Sequence, residues 1–276
     1  MNRAFVIFNP AARGEKSQRL RQFLESKQSD RVVLAPTQCA GDATRLAREA
    51  LRQGFDAIIA AGGDGTINEV VNGLGTSQVP VGVLPLGTAN VFARELRIPL
   101  RIAAAWDVIE QRHVAAFDLG VADAGGQRRY FVQLAGIGFD AATIQETSWE
   151  LKKKIGPLSY VVAGLRVLRR RPALPAIFIG NGRYYGGPFT LFPQASPSDG
   201  RLDVCVMERP SLFAALAVVL GRHTARRDVK YFQCETYVHD GAQPFELDGE
   251  FAGTTPVKFS VVPGALRVII PGEHHA

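Results

Sequence analysis

Short apolar runs alternate with helix-period stretches through the first third of the chain. Residues 4–8 are apolar and stop at Asn9-Pro10; a polar helical pattern over 16–25, a β-rich run at 31–34, a helical pattern over 43–53 and an apolar run at 57–61 follow. The alternation continues with a helix over 67–74, a strand over 79–84 and helices over 91–96 and 102–111. This order predicts an α/β layer structure around a mostly parallel sheet.

From about Phe117 the pattern changes. Strand-like runs at 117–121, 130–135, 176–180, 189–192, 202–207, 231–239, 257–262 and 265–270 are separated by Gly, Pro and Asp signals, which predicts a second, β-rich domain. Two helical segments interrupt it, near 151–170 and 212–222. There is no internal repeat and no low-complexity segment.

The chain has 276 residues, 46% hydrophobic and 21% charged, which is long enough for two cores and excludes a disordered or fibrous protein. Lys+Arg 32 against Asp+Glu 26 gives a formal charge of +6, a mild excess that favours anionic partners such as nucleotides, anionic lipid or nucleic acid. Cys39, Cys205 and Cys234 lie far apart and outside CxxC spacing, so neither a disulfide framework nor a zinc site is expected, and a reducing cytoplasm is the natural compartment. The scattered His113, His223, His239, His274 and His275 outline no zinc or Ser-His-Asp site. The longest apolar run, 212–220, is far short of the roughly 20 residues that span a bilayer. Residues 4–8 are too short for a signal-peptide core, so membrane contact is expected to be peripheral.

Gly62-Gly63-Asp64-Gly65-Thr66 follows the 57–61 run and opens a helix with Ile67, Val70, Val71 and Leu74 on one face. Glycines let backbone N–H groups approach an anion, and the helix N-terminus adds its positive dipole end, so phosphate is the expected guest. Thr66 and Glu69 also fit a Thr-x-x-Glu capping box, which needs no ligand. The missing Lys excludes a Walker P-loop, and Asn68 breaks the G-x-G-x-x-G dinucleotide fingerprint. A second strand-loop-helix unit, Pro85-Leu86-Gly87-Thr88-Ala89-Asn90, sets Thr88 and Asn90 at another helix start, as caps or as nucleotide contacts. In a parallel sheet both loops lie at strand C-termini, where ligands of open α/β sheets bind. Asn9-Pro10 and the turn from Thr37 to Ala43 share that position, as ordinary turns or as nucleotide contacts.

Further along, Leu247-Asp248-Gly249-Glu250 reads either as a plain Asp-Gly turn or as an acid placed to take the proton of an attacking hydroxyl. Ser198-Asp199-Gly200-Arg201-Leu202-Asp203 is a second acidic turn with hard oxygens suited to Mg²⁺ or Ca²⁺, or simply a hairpin. Gly136-Ile137-Gly138-Phe139-Asp140-Ala141 matches G-x-G-x-x-A in a β-rich setting, where close backbone packing explains it better than a Rossmann turn. Lys152, Lys153, Lys154, Arg166, Arg169, Arg170 and Arg171 flank apolar positions, giving a basic amphipathic segment that suits an anionic membrane or the solvated face of a packing helix. No motif or aromatic platform for nucleic acid accompanies the charge.

Taken in order, Asn9-Pro10, Thr37 with Gly41-Asp42-Ala43, Gly62 to Val70, Gly87-Thr88-Ala89-Asn90 and Asp248-Gly249-Glu250 resemble the diacylglycerol kinase catalytic-domain family, in particular its bacterial soluble lipid kinases. The resemblance covers nearly the whole chain. It implies a phosphofructokinase-like or NAD kinase-like α/β domain over 1–117, a β-sandwich acceptor-binding domain over 118–264, and a last strand, about 265–276, that returns to the first domain. It implies an ATP- and Mg²⁺-dependent transfer to a lipid hydroxyl at the cytoplasmic face of the inner membrane, with diacylglycerol or a related glycerolipid as acceptor, no nucleic-acid partner, and a homodimer as an allowed assembly.

The implied nucleotide set is Asn9, Thr37, Gly62, Gly63, Asp64, Gly65, Thr66, Glu69, Thr88 and Asn90. Asp248 would be the general base and Glu250 its support toward metal or nucleotide. Asp64, Asp199 and the carbonyl of Arg201 are the implied metal ligands, with Ser196 a weak ligand where an acid is expected. Val91 stands where many relatives carry Asp. The rivals are an NAD kinase-like enzyme and a nucleotide-binding regulatory protein without catalysis.

Overall fold

The computed structural model describes residues 3–10, 15–147, 158–170, 174–211, 217–218 and 221–272. Two units emerge, one of residues 1–119 with 263–276 and one of 120–262.

In the first unit, β1 (Ala4–Phe8), β2 (Val32–Pro36), β3 (Ala57–Gly62) and β4 (Val81–Pro85) form a parallel sheet in the order β2-β1-β3-β4. β1, β3 and β4 are buried along their whole length, which is why they read as unbroken apolar runs. The connecting helices are α1 (Glu15–Lys27), α2 (Asp42–Arg52) and α3 (Asp64–Leu74), followed by α4 (Val91–Glu95) and α5 (Ile102–Gln111). The chain leaves this unit within β5 (His113–Ala124) and re-enters it within β16 (Val257–Ile270), whose Val268 lies parallel beside Val81 of β4.

The second unit is a β-sandwich. One layer is a six-stranded antiparallel sheet in the order β12-β11-β8-β7-β14-β15: Val229–Cys234, Leu202–Met207, Ala176–Gly180, Leu134–Gly138, Pro244–Leu247 and Glu250–Thr254. The other contains β5 paired with β6 (Gln127–Phe131), and β13 (Thr236–His239) paired with β16. Ala135, Ile137, Ile177, Ile179, Phe245 and Leu247 face this second layer and pack with its Phe131 and Phe259. Leu134, Ala176, Phe178, Cys205 and Met207 belong to a separate cluster with Phe192. The split follows the two-residue alternation of the strands. α6 (Phe139–Glu146), α7 (Leu158–Arg170) and the short pair β9 (Tyr184–Tyr185) and β10 (Phe189–Thr190) also belong to this unit.

The sequence expectations change at several places. The run at 130–135 is two strands, because Phe131 pairs with Gly120 whereas Leu134 pairs with Gly180. The expected break at Pro263-Gly264 does not end β16; Gly264 takes φ +59° and donates its N–H to Asp118 Oδ1 at 2.8 Å. β14, β15 and α6 carried no clear pattern in the sequence. Lys152, Lys153, Lys154, Arg171, His274, His275 and most of 212–220 lie outside the described residues. Of the basic segment, only α7 with its exposed Arg166, Arg169 and Arg170 is described.

Candidate active site

In the α/β unit, the loops after β1 to β4 leave the same carboxyl edge, because Phe8 stands beside both Pro36 and Ala61 and Gly62 stands beside Pro85. β2 and β3 flank β1 on opposite sides, so the gap between the β1 and β3 loops is the switch point at which such sheets bind ligands. Asn9 and Gly62-Gly63 border it, with the Asn9 N–H reaching the Ala61 carbonyl at 3.4 Å. Asn9 is exposed.

Side chains are excluded from this edge by contact. The space a Cβ on Gly62 would take is filled by the Thr66 side chain. A Cβ on Gly63 would lie 3.2 Å from the Gly87 Cα, and one on Gly87 would lie 2.7 Å from the Gly63 Cα, so the two glycine loops meet backbone to backbone. The Leu86 N–H donates to the Gly62 carbonyl at 2.9 Å and ties them. α3 starts at Asp64 with Gly63 as its N-cap and no side-chain cap. Its first-turn N–H groups therefore open to a ligand that accepts hydrogen bonds.

The helix start at 67 and the Thr66–Glu69 capping box expected from sequence are therefore corrected. Glu69 reaches across to α2: Oε1 accepts from the Gly41 N–H and Oε2 from the Ala43 N–H, each at 3.0 Å. Thr44 Oγ1 donates to the Glu69 carbonyl at 2.8 Å, and bare Gly73 packs against Ala47 and Thr44. Both Glu69 oxygens are thus committed to α2 and fix the turn after β2. Within that turn the Thr37 N–H donates to the Phe8 carbonyl at 2.9 Å. Asp42 Oδ2 accepts from the Gln38 N–H at 2.7 Å and the Cys39 N–H at 3.3 Å. The Gln38 N–H is the main cause that holds the Asp42 carboxyl below its ordinary range.

Asp64 turns toward the second loop, Oδ1 accepting the Phe92 N–H at 3.2 Å at the start of α4. Burial pushes its carboxyl above the ordinary range, while the N–H groups of Phe92 and Val91 oppose that shift. Asn90, buried at φ +48°, does not cap α4: its Oδ1 accepts from the Gly87 N–H and its Nδ2 donates to the Gly87 carbonyl, both at 2.8 Å. Asn90 closes the loop into a ring and leaves Thr88 as its exposed hydroxyl.

In the β-sandwich, Asp248 sits at φ +48° in the β14–β15 turn. Its Oδ2 accepts the Val132 N–H at 2.8 Å, and its Oδ1 accepts the N–H groups of Gln133 at 2.9 Å and Leu134 at 3.0 Å. A plain turn needs none of these bonds. They clamp the β6–β7 corner to the turn. Glu250 is exposed at the first position of β15.

Asp199 Oδ1 accepts the Arg201 N–H at 3.0 Å, while Ser196 and Ser198 hydroxyls lie 3.3 Å apart. Asp203 is buried and engaged by Tyr231 and Gln233 Nε2. Burial raises its carboxyl, and Asp199 adds to that. No group of three Asp, Glu, His or Cys side chains that could hold a metal ion stands together among the described residues.

Sequence reasoning missed one cluster. Asp140, Glu246 and Tyr185 meet over Gly136, and the only signal was the G-x-G-x-x-A run, read as close packing.

Residues 3–122 match the family model described as diacylglycerol kinase catalytic domain, and residues 157–270 match the YegS C-terminal NAD kinase beta sandwich-like domain. A Pseudomonas aeruginosa protein named "Probable lipid kinase YegS-like" is 36% identical over 84% of this chain and 82% of its own length. The diacylglycerol kinase of Bacillus subtilis is 31% identical over 99% of this chain and 98% of its own. Among solved structures, a diacylglycerol kinase from Bacillus anthracis superposes with a TM-score of 0.76 at 25% identity, covering 98% of this chain and 97% of that one.

Proposed function

Given that the chain belongs to the diacylglycerol kinase catalytic-domain family, we propose that it is an ATP-dependent lipid kinase whose acceptor is diacylglycerol or a related glycerolipid. The observation that carries the nucleotide half is the backbone contact between the Gly63 and Gly87 loops at the uncapped start of α3. A phosphate chain fits bare N–H groups at a helix start and needs no Walker lysine there. Gly62, Gly63, Gly65 and Thr66 cradle the phosphates, and Asn9, Thr37 and Thr88 line the same sheet edge. Glu69 and Asn90 shape the loops. Asp64 braces the second loop through the Phe92 N–H and would be the acid that meets a metal carried on the phosphates.

Mg²⁺ would arrive on the ATP phosphates, which need few protein ligands, and would neutralise charge on the transferring group. The acceptor and its base belong to the β-sandwich. The acceptor hydroxyl forms the new O–P bond, the bond from γ-phosphorus to the bridging oxygen breaks, ADP leaves, and Asp248 takes the hydroxyl proton. In a loose transition state the hydroxyl needs little prior deprotonation, so fixed placement counts for more than base strength. The three N–H groups on Asp248 supply that placement. No helix among the described residues is long and apolar enough to cross a membrane, and a peripheral stance on the anionic cytoplasmic face, helped by the basic segment, suits a lipid acceptor.

The acceptor is tested by offering diacylglycerol, phosphatidylglycerol, a sphingoid base and NAD in parallel in mixed micelles with labelled ATP. Diacylglycerol or a close glycerolipid is expected to take the label fastest. Preferential labelling of NAD would replace the lipid reading with the NAD kinase one.

A further inference from the structure

Glu246 is fully buried and Asp140 is 5% exposed, yet the two carboxyls converge. Glu246 lies opposite Gly136 in the β7–β14 ladder, and a Cβ on Gly136 would sit 2.6 Å from Asp140 Oδ2 and 2.7 Å from Glu246 Oε1. Each acid uses its other oxygen: Asp140 Oδ1 accepts from the Tyr185 hydroxyl at 2.5 Å, and Glu246 Oε2 accepts from the Gly249 N–H at 2.6 Å. That leaves Oδ2 and Oε1 turned to one another, and Oε1 has no donor among the described residues. Two buried acceptors in that position are reconciled by a proton between them.

We propose that Asp140 and Glu246 hold a single proton between them and through it set the shape of the 247–250 turn, which makes them positioning residues for transfer. The inference rests on the kinase reading above, because it gives that turn a part in the reaction. Gly249 is the link. Its N–H hangs on Glu246, and it is the neighbour of Asp248.

The surroundings favour retention of the proton. Burial lifts the Glu246 carboxyl well above its ordinary range, and the charges of Asp140 and Asp248 lift it further against the Gly249 N–H. Burial likewise lifts Asp140, opposed by its bonds to Tyr185 and Glu246. From the packed elements, α6 brings Asp140, β9 brings Tyr185, and the turn brings Asp248 and Glu250, whereas β7 and β8 bring no titratable group. On α7, Arg166 and Arg169 are exposed and Arg170 pairs with Glu146 at 2.8 Å.

Raised carboxyls bind more protons folded than unfolded, so their contribution is fully present below the unfolded value and fades as pH rises through the folded one. Once the shared proton leaves, two anions face each other and the Gly249 anchor is pushed away. The test measures single-turnover transfer against pH, well below the melting temperature, for wild type, Glu246→Gln, Asp140→Asn and the double variant, with melting curves over the same range. Wild-type transfer should fall about tenfold per pH unit beyond the last titration of the pair. Each single amide still donates across the gap, so both single variants should lose that alkaline limb and keep the rest of the profile. The double variant turns two NH₂ groups on each other and should be slower than either single one.

An alkaline limb unchanged in the single variants, even with altered melting, would overturn the positioning role and leave the pair as packing. A wild-type melting temperature with no alkaline decline relative to Glu246→Gln would overturn the shared proton itself. Absence of transfer to any lipid would instead count against the kinase reading, and the melting curves would still decide the proton.

Discussion

Gly63→Val should fold and yet lose ATP. The Gly63 backbone, at φ −86° and ψ −176°, is extended and open to any residue, so valine introduces no backbone strain. Its Cβ would stand 3.2 Å from the Gly87 Cα with two methyl groups beyond it, on the edge where the phosphates must approach the α3 N–H groups. Loss of two charge-assisted hydrogen bonds at roughly 1.5 kcal/mol or more each predicts an affinity lower by about 100-fold or more. Calorimetric titration with ATP and Mg²⁺ checks the affinity, and circular dichroism checks the fold. Undiminished affinity in a folded variant would remove the glycine loops from the site.

Asp248→Asn should cost both rate and stability, for separable reasons. An amide cannot take the acceptor proton, and general-base contributions run to about 10²–10⁴ in rate. An amide also offers one acceptor oxygen where Val132, Gln133 and Leu134 now share two. A stranded buried N–H costs about 1–3 kcal/mol, so the melting temperature should fall as well. ATP affinity should be unchanged, since Gly62 to Thr66 are untouched. Single-turnover transfer measured well below the melting transition isolates the chemical part. Near wild-type transfer together with a lower melting temperature would make Asp248 a clasp for the β6–β7 corner and nothing more.

Much of the fold was legible because β1, β3 and β4 are buried along their whole length and so are written as apolar runs, each appearing in the sequence within a residue or two of its observed bounds. What failed was local reading of residues whose partners lie far along the chain. Thr66 and Glu69 fit a cap by spacing, but the carboxylate of Glu69 serves α2, 26 and 28 residues away. Asn90 has the chemistry of a cap, but its left-handed backbone folds the amide onto Gly87. Asp248 sits in an Asp-Gly turn whose purpose becomes visible only with the corner more than a hundred residues upstream, at |i−j| of 114 to 116. Glu246 carried no signal in the sequence, and only pairing with Gly136 shows it to be buried against Asp140.

The claim at the centre is that this chain moves the γ-phosphoryl group of ATP to a lipid hydroxyl. Incubating the pure protein with γ-labelled ATP, Mg²⁺ and a total bacterial lipid extract, then separating the organic phase, tests it most directly. The expected result is a labelled phospholipid formed by wild type and absent with Gly63→Val. Label that stays in ATP, appears only as inorganic phosphate or moves only to a water-soluble acceptor would contradict it.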